Sequence, residues 1–246
     1  MPEIKTVRGP LGRHYVHPES KEIVPSVTTI LGVLDKPALV GWAAKTVAEY
    51  AADNLPAVNA LERDDAVALL KGVPWRNRDK AANRGTDAHT YAERRLMFGL
   101  APSPANESEV KIDAVLDTIK PRAILTEGTV WNATVGYAGT FDGIWKVGRK
   151  TVLIDWKSGK GVYPESGLQA VAYGHGEQII TPSSIEDMPH CDEAWIVHVP
   201  EEGPWAIHPV SLNNDMDWIA FRATRAVWYW QAHGADLILG QRRNTN

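Results

Sequence analysis

Between Thr151 and Lys157 the chain reads TVLIDWK, and no other stretch constrains the fold as tightly. Side chains alternate between the two faces of a strand. Val152, Ile154 and Trp156 therefore share one face, while Leu153, Asp155 and Lys157 share the other. Leu153 anchors the second face in a core, and Asp155 and Lys157 point the same way further along. A buried carboxylate or ammonium without a counterpart costs several kcal/mol, so the two must be matched with each other or with an ion. Gly159 and Gly161 then let the backbone turn and leave the charges at the strand's end.

The preceding apolar run, YAGTFDGIWKV, carries a second acid, Asp142, between Gly139 and Gly143. If the two strands form an antiparallel hairpin turning at Gly148 and Arg149, Asp142 and Asp155 are equidistant from the turn and become cross-strand neighbours. Two carboxylates that close repel, and one of them would hold a proton. A divalent cation removes that penalty, and oxygen ligands with retained waters favour Mg²⁺ or Mn²⁺ over Zn²⁺. The pattern acid-x-Lys is cheap: Glu3/Lys5, Glu19/Lys21 and Glu109/Lys111 show it too, in polar settings that suit a solvated pair. Asp155/Lys157 alone follows a continuous apolar strand and a neighbour bearing an acid.

Around this hairpin the hydrophobic period changes. Residues 11–24 read as a hairpin around Pro18–Lys21. A helix starts near Asp35 and Pro37. Further helices are expected over Leu61–Lys71, Asp79–Phe98 and Glu107–Ile119, the last closed by Pro121. AILTEGTVWN, YAGTFDGIWKV and KTVLIDWK read as three strands, followed by a helix over Glu165–Ile180 and the strands EAWIVHVP and PWAIHPV. A C-terminal helix starts near Asn214, with Met216, Ile219, Ala220, Ala223, Val227 and Trp230 as its apolar stripe. Trp218 and Trp230 are both expected in the core. The order implies an α/β fold, a central mixed sheet flanked by helices behind an N-terminal helical region. We expect one domain over residues 1–246, divided into an N-terminal hairpin and helices (1–78), a core (79–211) and a C-terminal helix (212–246).

Composition narrows the functional classes. The chain has 246 residues, a net charge of −4 and one cysteine, Cys191. A lone cysteine excludes an internal disulfide and a cysteine-rich metal site. No apolar run approaches the ~20 residues of a membrane span, and MPEIKTVRGP lacks the apolar segment of a signal peptide, so a cytoplasmic address is expected. A protein binding nucleic acid through bulk charge would be basic, so any such role must rest on local basic clusters.

Two helical spacings complete the pattern. RGTDAHTYAE places Gly85 and His89 on one helical face with Glu93 a turn later, and SGLQAVAYG places Gln169 beside Tyr173. Each alone is a common amphipathic spacing. In order, Gly85-xxx-His89, Gly139-x-x-Asp142, Asp155-x-Lys157 and Gln169-xxx-Tyr173 resemble the motif set of RecB-like nucleases of the PD-(D/E)XK superfamily. VPSVTTILGVLDKPALVGWA also resembles the N-terminal block of phage-type exonucleases and of the mitochondrial genome maintenance exonuclease. The likeness covers roughly residues 24–175.

The resemblance implies a restriction-endonuclease-like core and a metal-dependent DNA exonuclease. His89, Asp142, Asp155 and the main-chain carbonyl of Trp156 would ligate Mg²⁺ or Mn²⁺, as one ion or as two about 4 Å apart. Lys157 would assist the attacking water, and Gln169 and Tyr173 would hold the active-site helix and the DNA backbone. Glu127 either reaches a second metal through water or is an exposed strand residue. Some relatives carry four cysteines for an iron–sulfur cluster; this chain departs from them, and no cluster is expected. Arg76, Arg78, Lys80, Arg84 and Lys160, with Arg94 and Arg95, would track phosphates, unless they form a solvated helix face. Trp75 and Tyr163 offer stacking surfaces for unpaired bases. The partner would be DNA, as a single strand or a duplex end, in the cytoplasm of a bacterium or phage-infected host, for recombination, repair or replication. A single-strand annealing or recombination protein would be a second partner. A structure-specific endonuclease on the same fold, and an inactive nucleic-acid-binding module, remain open alternatives.

Overall fold

The computed structural model describes residues 4–99, 103–235 and 238, leaving aside the side chains of residues 78–84, 86 and 98. The chain divides into two compact units, Met1–Leu34 with Ala88–Asn246, and Asp35–Asp87. The first unit opens with β1 (Lys5–Gly9), β2 (Gly12–Val16), β3 (Ile23–Pro25) and the short α1 (Val27–Leu31). The second holds α2 (Pro37–Asp53), α3 (Leu55–Asn59) and the first part of α4 (Arg63–Phe98). The first unit then resumes with α5 (Glu107–Ile119), β4 (Arg122–Leu125), β5 (Gly128–Asn132), β6 (Tyr137–Phe141), β7 (Gly143–Val147) and β8 (Lys150–Lys157). It ends with α6 (Pro164–Gly174), β9 (Gln178–Ile180), β10 (Ile185–Asp187), β11 (Glu193–His198), β12 (Ala206–Val210) and α7 (Asp215–His233). The fold is mixed α/β. No helix among the described residues is long and apolar enough to cross a membrane.

Local chemistry sets most of the boundaries. Ser26 caps α1 by accepting from the Thr29 amide at 3.0 Å. Asn106 accepts from the Glu109 amide, and the Glu109 carboxylate reaches back to the Ala105 amide, a reciprocal cap that starts α5. That helix ends where Lys120 turns left-handed, at φ 48°, ahead of Pro121. Asn214 caps α7 through the Met216 amide. α2 starts at Pro37 with Lys36, not Asp35, at the cap position.

Three sheets form. β1-β2-β3 is antiparallel, and the turn between β2 and β3 is the hairpin expected over residues 11–24. The second sheet has the order β10-β9-β5-β6 and the third β12-β11-β8-β7-β4. The third is mixed, because β8 pairs in parallel with β11 and antiparallel with β7. Val152, Ile154 and Trp156 of β8 pack with Ala88, Tyr91 and Ala92 of α4 and Ile112, Val115 and Leu116 of α5. On the other face Leu153 packs with Ala170, Ala172 and Tyr173 of α6 and Phe221 and Trp228 of α7. Helices thus cover both faces, as the alternation in TVLIDWK requires.

Several elements differ from the expected ones. Leu61–Lys71 and Asp79–Phe98 are parts of one helix, α4, which continues through Pro74. A proline removes one donor and crowds the preceding turn, but the helix formers on both sides carry the helix past it. AILTEGTVWN is two strands, β4 and β5, in different sheets, and so is YAGTFDGIWKV, which breaks at Asp142 between β6 and β7. The helix expected over Glu165–Ile180 ends at Gly174, and Gln178–Ile180 pairs with β5 instead. The chain passes so close to β5 there that a Cβ on Gly176 would stand 2.9 Å from the Val130 Cβ. On α7 the buried face is Phe221, Thr224 and Trp228, with Trp218 packed alongside. Met216, Ile219, Val227 and Trp230 are exposed. Both sets recur at helical spacing, so the period alone could not choose between them; the aromatic set makes the larger contact.

Candidate functional site

The break at Asp142 is where the site forms. The β7–β8 register pairs Gly143 with Ile154, and extending it by one pair sets Asp142 opposite Asp155. The Asp142 amide donates to the Ile154 carbonyl at 3.3 Å, so pairing does continue past the strand's formal start. Asp142 Oδ2 accepts from the Trp156 amide at 2.7 Å, which fixes the carboxylate against β8. Its Oδ1 lies 2.8 Å from His89 Nδ1, and His89 Nε2 lies 3.1 Å from the Trp156 carbonyl oxygen. Ala88 and Tyr91 anchor this part of α4 in the core and so deliver His89 to the strand ends.

Both ring nitrogens of His89 face acceptors, an arrangement that only the doubly protonated imidazolium satisfies. Burial works to discharge the ring. The Asp142 hydrogen bond and the charges of Asp142 and Asp155 outweigh it, so the His89 pKa lies above its ordinary value.

Asp155 is 3 % exposed. Desolvation pushes its pKa up from 3.8 to about 6, and the charge of Asp142 adds to the rise; Lys157 and His89 oppose it. Asp155 Oδ1 accepts from Gln169 Nε2 at 3.3 Å. Lys157 Nζ stands 2.5 Å from Oδ2 as an ion pair. The ammonium thus compensates the charge of this buried oxygen.

α6 supplies the supporting layer. Gln169 Nε2 donates to the Tyr173 hydroxyl at 2.8 Å, and Lys157 Nζ reaches Gln169 Oε1 at 3.5 Å. Tyr173 is buried, its pKa raised well above the ordinary range by burial and then by the charge of Asp155. Its contact is therefore with Gln169 rather than with solvent. A Cβ on Gly139 would stand 2.5 Å from the Tyr173 ring, so β6 must be glycine there.

The structure thus brings together His89, Asp142, Asp155, the Trp156 carbonyl, Lys157, Gln169 and Tyr173. Glu127 lies in the two-residue bend between β4 and β5, not within a strand, and is exposed. Partial burial, then the charges of Glu93 and Asp142, push its pKa up. Lys160 is exposed in the bend after β8. Arg76 belongs to the other unit, where its guanidinium donates to the Leu69 carbonyl. The side chains of Arg78, Lys80 and Arg84 lie outside the described residues. Arg95 is tied to Asp113, Asp117 and the Gly99 carbonyl, and so secures α5 instead of facing phosphate. Trp75 and Tyr163 are exposed, at 59 % and 57 %.

One residue near the site had no sequence signal. His198 ends β11 as the register partner of Lys157, and its Nε2 lies 2.7 Å from the Gly159 carbonyl, which pins the loop after Lys157. Only the parallel pairing of β8 with β11, 41 residues apart in register, reveals that role.

Among the described residues, no three His, Cys, Asp or Glu side chains are drawn together as a ready metal cluster. The donor set nevertheless suits a hard cation. It offers two carboxylates and a main-chain carbonyl, with an imidazole that can join them once it gives up a proton.

No protein-family model matches the chain, and no curated protein matches it. Among solved structures it is similar to one described as "Crystal structure of SSO0001", at 15 % identity and a TM-score of 0.28, over 55 % of this chain and 59 % of that one.

Proposed function

We propose that this protein is a metal-dependent deoxyribonuclease of the RecB-like PD-(D/E)XK type, with a restriction-endonuclease-like core. The reading rests on one observation. Four elements, α4, the β6–β7 break, β8 and α6, bring His89, Asp142, Asp155, Lys157 and Gln169 into contact, in the chain order of the motif set. His89, Asp142, Asp155 and the Trp156 carbonyl would hold Mg²⁺ or Mn²⁺. Bound there, the ions would supply charge stabilisation for a phosphate undergoing in-line displacement by water.

The chain's own residues do the rest. Lys157, 27 % exposed, reaches solvent from a buried base and can orient the attacking water. Gln169 holds the Asp155 carboxylate from one side, and Tyr173 fixes Gln169 from the other. The Trp156 amide fixes Asp142. Lys160, exposed in the bend after β8, would meet a phosphate.

The test is digestion of end-labelled single- and double-stranded DNA with Mg²⁺, with and without chelator, beside a covalently closed circle. Loss of linear substrate that chelator prevents, with the circle intact, is the expected result and marks an exonuclease. Cleavage of the circle marks an endonuclease. Asp155→Asn should abolish cleavage and keep DNA binding; a variant that cuts at the wild-type rate refutes the site.

A further inference from the structure

The outer side of α7 carries an apolar stripe of its own. Met216 is 68 % exposed, and Ile219, Val227 and Trp230 are exposed with it. Ala223 and Ala226 are exposed between them, and Ala220 is half-buried. At about 3.6 residues per turn these seven lie within a third of the helix's circumference, away from the buried Phe221, Thr224 and Trp228. Single exposed apolar residues are ordinary, but a contiguous stripe marks an interaction surface. This one reads the same from either end. About Ala223, Met216 balances Trp230, Ile219 balances Val227, and Ala220 balances Ala226.

Such symmetry is what a two-fold axis requires, because an isologous contact sets one patch against itself, residue i on j and j on i. Two α7 helices laid antiparallel about Ala223 set large side chains together at the ends and alanines in the middle, where the backbones can approach closely. The antiparallel order also opposes the two helix dipoles. It brings Asp215 of one copy beside Tyr229 and His233 of the other, a carboxylate beside a hydroxyl and an imidazole. Arg222 meets its own copy near the axis, but its long exposed side chain can turn into water. Beside the C-terminal half of α7 lies a depression of about 280 Å³ whose lining includes Leu11, Thr28, Val33 and Gln231. The axis that carries Met216 onto Trp230 sets it next to Gln231, at the rim of that depression.

We propose that the outer face of α7 is the contact surface for a second copy of this chain, in an antiparallel two-fold pair centred on Ala223. One helix pair offers less area than the roughly 800 Å² per partner of a standard interface. The dimer is therefore weak, and the chain is monomeric at the low concentrations of an unfolding experiment. No residue of the stripe belongs to the candidate site, so the pairing stands or falls apart from the nuclease reading.

Sedimentation equilibrium of the full chain at up to about 300 μM, the range of a weak interface, tests the pairing. The wild type should show a monomer–dimer equilibrium, and Val227→Glu, at an exposed position, should weaken it about tenfold or more. Cross-linking tests the register. Cys191 is buried, so an introduced surface cysteine is the reactive one. Oxidised Ala223→Cys should form a disulfide-linked dimer, because the axis brings its two copies together. Met216→Cys should not, because its copies lie about 20 Å apart along the helices. A wild type that stays monomeric throughout overturns the proposal and leaves the face to a different occupant. A trimer overturns the two-fold. Equal dimerisation of Val227→Glu overturns the face, and cross-linking through Met216→Cys rather than Ala223→Cys overturns the antiparallel register.

Discussion

Asp155 holds its charge against its surroundings. Its pKa of about 6 means that the folded chain binds this proton more tightly than the unfolded chain, whose aspartates titrate near 3.8. A raised carboxyl pKa contributes stability that is fully present below the unfolded value and lost as pH rises through the folded one. The metal-free protein should therefore lose stability between about pH 4 and pH 6. His89, also raised, has the same sign and extends the loss above 6.5. Thermal unfolding in chelator across pH 4–8 checks this. Asp155→Asn should flatten the first part of the slope and melt above the wild type at pH 7.5, by a few degrees for each ~1 kcal/mol gained. A residue that costs stability and is kept where a cation would relieve it is the usual mark of a functional position.

At the scale of elements, α6 supports the site and α7 covers the core. Gln169 on α6 touches Asp155, Lys157 and Tyr173, and so positions without reacting. Gln169→Leu should lower kcat/KM by about 10–100-fold, the range for supporting ligands around metal sites, and should weaken Mn²⁺ binding in parallel. On α7, Trp228 is 2 % exposed and Trp230 is 46 % exposed. Trp228→Ala should cost about 3–5 kcal/mol, and Trp230→Ala should stay within about 0.5 kcal/mol, both by urea denaturation. That contrast is also the measure of what the sequence could tell. β8 was legible because its alternation offers one way to bury Leu153 and one way to expose Lys157. Asp142 and Asp155 were legible as neighbours because the turn at Gly148, φ 57°, fixes their register. The α7 stripe was not, because two interleaved apolar sets share one period. Nor was the division of β6 from β7: no local signal says that strands on either side of Asp142 join different sheets, since that depends on partners distant in the chain.

For the molecule as a whole, a net charge of −4 and the paired acids Asp142 and Asp155 at one site point the same way. Cations should stabilise the fold by mass action, by RT ln(1 + [L]/Kd), or about 2.7 kcal/mol at a hundredfold excess over Kd. Mn²⁺ at millimolar concentration should raise the wild-type melting temperature in the absence of DNA. The same addition should leave an Asp142→Asn, Asp155→Asn double variant unmoved, as read by scanning calorimetry. The charge also sets how nucleic acid would approach. Without a basic surface overall, attraction must be local, so binding should fall with salt by a small slope that counts few phosphates.

The passage of the chain from one sheet to the other through Asp142 has an evolutionary consequence. Each sheet pairs independently, on Gly128↔Phe141 and on Gly143↔Ile154. An insertion of one residue between Phe141 and Gly143 would leave both ladders intact and turn the carboxylate away from Asp155. Under the nuclease reading, a descendant of this chain would lose its paired acids by a single codon while both sheets still fold.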